Sequence, residues 1–256
     1  MKRIFLSVVL SVVICSFTFA EKKIKIVAAT SHIYSIVREI CKDEVDVVEV
    51  IPYNMCPGHF DFSTKDIEKI LKCDVFLCHG WERWIKNMDS RKIHRVEVSG
   101  NWMVPKTNIV AAGKILQIVS QVDSKNKDKY KKNFDEYVNK ISIVSKKLTE
   151  RFKYYIGSKV ICSKNQEEFV RWLGLDVVYS FSLDDQTNVK DVVEMLSVGE
   201  KEKVELVIEN LQSGSKMSQQ LAKDLGVKYV VLSNFPEECY IETLKENVNE
   251  IIRCLR

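Results

Sequence analysis

The chain is 256 residues long with a formal net charge of +4, and with Lys2 and Arg3 set aside it carries 37 basic against 35 acidic residues. A balance this even supplies no field for holding a polyanion, so nucleic-acid partners are excluded. The nine glycines never form G-x-G or a P-loop, and neither H-E-x-x-H nor G-x-S-x-G occurs, so the chain does not read as an enzyme.

Lys2 and Arg3 precede an apolar run from Ile4 to Ile14, and Thr18 and Ala20 place small residues where a signal peptidase reads. Residues 1–20 therefore predict a secretory signal peptide, too short to span a membrane as a stable helix. Cys15 follows Ile14, where a lipidation site wants a small residue, so lipid anchoring is the lesser expectation. The mature chain is expected to begin near Glu21 and to work outside the cytoplasm, in the periplasm or at the cell surface. Of the eight cysteines seven remain after residue 20, an odd number that leaves at least one thiol unpaired in an oxidising compartment.

Residues 24–29 form an apolar run ending at Thr30 and Ser31, and 33–40 then follow helical spacing. Val45–Ile51 alternates as a strand and stops at Pro52. Ser63, with Asp66 three residues later, has the pattern of a capping box that opens a helix. Residues 74–78 predict a strand, 82–88 a short helix and 96–99 a fourth strand. Strands alternating with helices mean a mostly parallel sheet flanked by helices, an α/β lobe.

A long segment, 123–155, follows. Tyr130, Phe134, Tyr137, Ile141, Val144, Leu148 and Phe152 recur in steps of four and three, which lines one face of a helix. Gly113 and Gly157 are the nearest breakers, and Asp123 or Ser124 can cap the start. Such a helix would be roughly 45 to 50 Å long. Its stripe lasts too few heptads for a coiled-coil arm, and a spine joining two lobes is expected instead. After it the rhythm resumes, with strands at 159–162, Asp176–Phe181, 204–208 and Lys228–Leu232. Helices are expected at 166–173, 189–196, 217–225 and Tyr240–Leu255. The division is thus 1–20 signal peptide, 21–122 N-terminal lobe, 123–156 linking helix and 157–256 C-terminal lobe.

In a parallel α/β sheet, ligands bind beyond the carboxyl ends of the strands, where loops converge. At that edge the first lobe places His32, then Cys56 and His59, then Cys78 and His79, then Asn101, Trp102 and Met103. The second lobe offers Cys162, Ser163, Asn165, Glu209 and Ser233. Imidazole and thiolate are common ligands for zinc and related divalent metals, which makes His59, His79, His32 and Cys56 the candidate metal ligands. For any one of these histidines a helix cap or a surface position is the plainer reading. Cys56 and His59 have C-x-x-H spacing without a second matching pair. His94, between Lys92 and Arg95, is expected to be exposed.

Several stretches together resemble a family, the metal-binding solute receptors of bacterial zinc and manganese ABC importers. They are TSHIYSIVREI, then VIPYNMCPGHFDFSTKDIEKILKCDVFLCHGWERWI with its Gly-x-Glu-x-Trp-like turn, then EEFVRWLGLDVV, VELVIEN and LAKDLGVKYVVL. The resemblance implies two α/β lobes on one spine helix, the helical-linker class of periplasmic binding proteins. His59 matches the family's first metal histidine, with Gly58 inserted after Pro57. The second histidine is replaced within the segment 100–105, the third ligand falls on Ser163 and the fourth on Ser233, and no His-rich loop is present. A rebuilt pocket would draw on Cys56, His32, His79 and Met103.

The function so implied is an extracytoplasmic solute receptor that binds a divalent transition metal, zinc first, between its lobes and delivers it to a membrane permease. The metal is cargo rather than a catalytic cofactor, and a monomer is expected. Two alternatives stand beside it. One is a receptor for a metal chelate (haem, corrinoid or siderophore) walled by Trp81, Trp84 and Trp102; the other is a secreted adhesion or interaction protein on the same scaffold.

Overall fold

Strand composition already separates centre from edge. Val75–Cys78 and Leu206–Asn210 are buried at every position, as central parallel strands covered on both faces must be, whereas Val45–Ile51 and Lys228–Leu232 mix buried and exposed positions. The computed structural model describes residues 22–82, 91–182, 189–214 and 216–256. The expected signal peptide, and Trp84 with most of the helix expected at 82–88, lie outside the described residues.

The first lobe runs β1 (Ile24–Thr30), α1 (Ser31–Cys41), β2 (Val45–Ile51), α2 (Thr64–Lys72), β3 (Val75–Cys78) and β4 (Ile93–Arg95). Two long helices follow, α3 (Pro105–Val122) and α4 (Lys127–Phe152). The second lobe runs β5 (Lys159–Ser163), α5 (Glu167–Trp172), β6 (Asp176–Phe181), α6 (Val189–Glu202), β7 (Leu206–Asn210), α7 (Lys216–Leu225), β8 (Lys228–Leu232) and α8 (Tyr240–Leu255). The sheets are ordered β2-β1-β3-β4 and β6-β5-β7-β8, and every pairing is parallel. Each sheet therefore changes winding direction at its first strand, and the carboxyl ends of β1 and β5 mark where a crevice opens.

The capping box at α2 forms as read: Ser63 Oγ accepts from the Asp66 amide and Asp66 Oδ2 accepts from the Ser63 amide. Several expectations need correction, among them the strand expected at 204–208, which is Leu206–Asn210. The fourth strand is Ile93–Arg95 rather than 96–99, because Val96 makes the last ladder bond, its amide donating to Cys78 O (2.7 Å), and the chain then leaves the sheet. Residues 105–122 form α3, a helix that the expectations from sequence do not include, and Gly113 lies inside it. A Cβ there would meet Phe134 Cζ at 3.9 Å, ordinary contact, so the glycine neither ends the helix nor is required by it. Helix α6 runs on past 196 to Glu202, and Gly199 sits inside it because a Cβ would collide with Leu225 Cδ1 of α7 at 2.7 Å.

Helix α4 has 26 residues, so it is about 39 Å long and shorter than the segment 123–155 expected, because 3-10 turns at Ser124–Asn126 and Lys153–Tyr155 flank it, and its N-cap is Asn126 rather than Asp123 or Ser124. Tyr130, Tyr137, Ile141, Leu148 and Phe152 are buried, and Phe134 and Val144 pack beside them. One contiguous apolar cluster runs from Ile26 and Leu77 in the first sheet, through this stripe and Leu244 and Val248 of α8, to Cys162 and Ile208 in the second. The lobes thus share a core and the spine is its middle layer. No disulfide joins any of the seven described cysteines; Cys41, Cys73, Cys78 and Cys162 are buried as small apolar side chains. Among the described residues no helix is long and apolar enough to cross a membrane.

Candidate functional site

The loops at the carboxyl ends of both sheets face each other across a cleft of about 720 Å³. From the first lobe come His32 after β1, Cys56 to Gly58 after β2, His79 to Trp81 after β3 and Glu97 to Trp102 after β4. From the second come Lys164, Asn165 and Glu168 after β5, Asn210, Gln212 and Ser213 after β7, and Asn234 and Phe235 after β8.

His79 is held by its neighbours. Its backbone amide and that of Gly80 donate to the two carboxylate oxygens of the buried Glu82 (2.8 and 2.7 Å), which folds the turn that presents the ring. Its Nε2 meets Thr30 Oγ1 at 2.9 Å. Thr30 stands at the N-cap of α1, yet its hydroxyl makes no cap bond, so this tertiary contact displaces the local one. Among the described residues Nδ1 has no partner, and the tautomer with Nε2–H donating to Thr30 leaves the Nδ1 lone pair available. Trp81 stacks on the imidazole (ring centroids 5.1 Å apart) and Trp102 leans on it at 4.3 Å. Burial, reinforced by the positive charge His32 would carry, lowers its pKa from 6.5 to about 3, so the ring is neutral.

His32 is fully engaged. Asn108 Nδ2 donates to its Nε2 (3.0 Å), and its Nδ1–H donates to Asn234 O (3.2 Å) in the second lobe. Asn108 Oδ1 in turn accepts from the Tyr137 hydroxyl of α4 (2.9 Å), so a hydrogen-bonded chain runs from the spine through α3 and α1 to the cleft. Burial lowers the His32 pKa to about 3, the bond to the Asn234 carbonyl opposing it. Asn108→Ala removes the partner of two buried groups and is expected to cost about 2 to 3 kcal/mol, against about 1 for Tyr137→Phe. Urea denaturation of both variants checks this, and equal costs would show that the chain of bonds is not shared.

The second lobe's wall is amide-rich and bonds across the gap. Asn101 Nδ2 donates to Asn165 O and to Asn234 Oδ1 (both 2.8 Å), its amide donates to Glu168 Oε2 (2.6 Å), and Gln212 Nε2 donates to Tyr53 O (2.6 Å). Gly100, at φ +97°, makes the approach of Glu168 possible, since a Cβ would lie 2.8 Å from its Oε1. Tyr240 closes the base, its hydroxyl donating to Met103 O (3.0 Å).

The structure therefore brings His32, His79 and Cys56 to one cleft and leaves His59 exposed, outside the lining, with its amide donating to Cys56 O (3.1 Å). Among the described residues no group of three or more His, Cys, Asp or Glu stands close enough to hold a metal ion. Met103 is fully buried and Ser163 nearly so, while Ser233 Oγ accepts from Gln212 Nε2 and donates to Phe235 O. Cys162 and Glu209 also prove buried, the latter bonded to Ser218 Oγ and the Asn210 amide. His94 is half-buried in β4, not exposed as expected, and burial lowers its pKa. Sequence reasoning missed Thr30, Asn108, Gln212, Asn234 and Phe235; for Asn108 the signal was there, in the helical spacing of Ile109, Ala112, Ile115, Leu116 and Val119 around it.

Residues 26–254 match the family described as ZnuA, zinc-uptake complex component A periplasmic. A manganese ABC transporter substrate-binding lipoprotein of Streptococcus mitis is 23% identical over 199 residues, which is 65% of this chain and 64% of that one. The chain spans about half to two thirds of the length of the curated relatives it matches. Solved structures share the fold, two of them as follows. A crystal structure of ZnuA superposes with a TM-score of 0.81 at 15% identity, covering 92% of this chain and 100% of the other. The laminin-binding protein of Streptococcus agalactiae, titled a bifunctional protein with adhesin and metal transporting activity, superposes at 0.79 with 18% identity, covering 91% and 100%.

Proposed function

This chain belongs to the periplasmic zinc-uptake component A family, whose members are substrate-binding proteins rather than enzymes, and from that premise we propose that it is the extracytoplasmic metal receptor of an ABC importer. It captures a divalent transition metal in the cleft between its lobes and delivers it to a membrane permease. The observation that carries this reading is His79: a neutral imidazole at a cleft between two sheets, braced through Nε2 by Thr30 and with Nδ1 unpartnered among the described residues. Bracing one ring nitrogen while the other binds is how ligating histidines are usually oriented.

Zinc is the metal we propose. Imidazole and thiol donors, here His79 and Cys56, suit zinc better than manganese, which prefers oxygen. The manganese named in a relative shows that family membership alone does not choose. His59, exposed on the turn after Cys56 and outside the cleft lining, is assigned no donor role, and His32 is a scaffold residue because both its nitrogens are spent.

The test is elemental analysis of the mature protein, exported by its own signal peptide and purified without chelators or a histidine tag. About one zinc per chain is expected. His79→Ala should lower occupancy most and Cys56→Ser less, with His59→Ala having the smallest effect. Protein that carries no transition metal, and takes up none of zinc, cobalt, nickel or copper at micromolar concentration under reducing conditions, would sink the proposal.

A further inference from the structure

The donor set and the cleft do not match a bare ion. A zinc ion wants about four donors within roughly 2.0–2.3 Å, and no trio of His, Cys, Asp or Glu exists among the described residues. His32 has no nitrogen to give, and the side-chain amide oxygens of Asn101, Gln212 and Asn234 already accept from the Met103 amide, the Asn234 amide and Asn101 Nδ2. What the cleft does present is space and rings. Its volume of about 720 Å³ falls within the roughly 300–1,000 Å³ typical of pockets for small organic molecules. The Trp81 indole is 54% exposed while stacked on His79. Trp102 leans on the same imidazole, and Phe235 meets it edge-on from the opposite lobe at 6.5 Å. An indole exposed beside a recess that holds one unpartnered imidazole is apolar surface placed where a ring-bearing ligand would cover it.

Resting on the reading of the chain as a metal receptor, we infer that the metal enters this cleft already held by a small, ring-bearing organic chelator. The chelator fills most of the coordination shell, His79 Nδ1 takes one remaining position, and Trp81, Trp102 and Phe235 pack against the chelator's rings. The mixed charges at the rim, Lys164 against Glu97 and Glu168, leave the recess without a strong preference for a charged complex. No bond is broken or oxidised on capture; a water or a weak donor on the metal is exchanged for the imidazole.

The experiment is calorimetric titration of the metal-stripped mature protein with four probes: zinc chloride, zinc with two equivalents of L-histidine, zinc citrate, and L-histidine alone. The zinc–histidine complex is expected to bind at least roughly tenfold more tightly than zinc chloride or zinc citrate, the size of effect that one good aromatic stacking contact supplies. L-Histidine alone should not bind measurably. Trp81→Ala, at an exposed side chain, should erase most of that preference, read as the ratio of the two affinities measured on the same variant. Zinc chloride binding as tightly as the complex would overturn the inference and leave the metal-receptor reading intact. Zinc citrate binding most tightly would overturn the role given to the rings. Binding of none of the zinc probes would overturn both the inference and the function it rests on.

Discussion

Between pH 6.5 and 4.5 the metal-free protein is expected to lose about 4.5 kcal/mol of folding stability through His32 and His79. Both rings are buried and neutral in the folded chain, with pKa lowered from 6.5 to about 3. In the unfolded chain each takes up a proton near pH 6.5, so below that value the unfolded state holds more protons and folding weakens as the pH falls. The slope approaches about 1.4 kcal/mol per pH unit per ring, and over this window each contributes a little over 2 kcal/mol. Below about pH 3 the folded rings protonate too, and the loss levels off. Glu49, Glu82 and Glu209 work the other way, because burial raises their pKa and acidification relieves that cost. A loss of this size is a large part of the 5–15 kcal/mol typical of a folded protein. Urea midpoints at pH 7, 6, 5 and 4.5 check it. His79→Gln should remove about half of the dependence, and a midpoint that stays constant from pH 7 to 5 would mean the rings titrate normally in the folded state.

Replacing Ile141 by proline should be nearly as severe, at about 4 to 5 kcal/mol. Proline in a helix interior removes one backbone bond and clashes with the preceding turn, at about 3 kcal/mol. The loss of a wholly buried isoleucine adds about 1 to 2 more. The consequence reaches beyond α4 because its stripe lies in the cluster that joins both sheets. At about 2–4 °C per kcal/mol for a chain of this size, the melting temperature should fall by roughly 10 °C or more, and in one transition. Two separate transitions, with one lobe melting as in the unsubstituted protein, would show that the lobes do not share a core through the spine. An unbroken helix also resists wide hinge bending between the lobes.

Legibility in the sequence followed the range of the forces involved. The stripe from Tyr130 to Phe152, the capping box at Ser63 and Asp66, and the bounds of β2, β6, β8 and α8 were all readable, because helical and strand periodicity and a cap act within a few residues. Helix α3 was missed, although its apolar residues recur at helical steps. The edge of the sheet at which His32, Cys56 and His79 gather was also readable, since parallel topology puts loops after strands at one end.

What the sequence determined by itself was the fold class, two parallel sheets flanked by helices around one long helix, and at which end of the sheets His32, Cys56 and His79 would gather. Local periodicity and chain connectivity suffice for that. Only the tertiary structure decided what each side chain at that end can do. His32 and His79 look equivalent as residues following a strand, but Asn108 and Asn234, 76 and 202 residues from His32 along the chain, occupy both nitrogens of one. Thr30 braces a single nitrogen of the other. Hydrogen-bond partners supplied by distant segments set the availability of a lone pair, and no spacing along the chain encodes them.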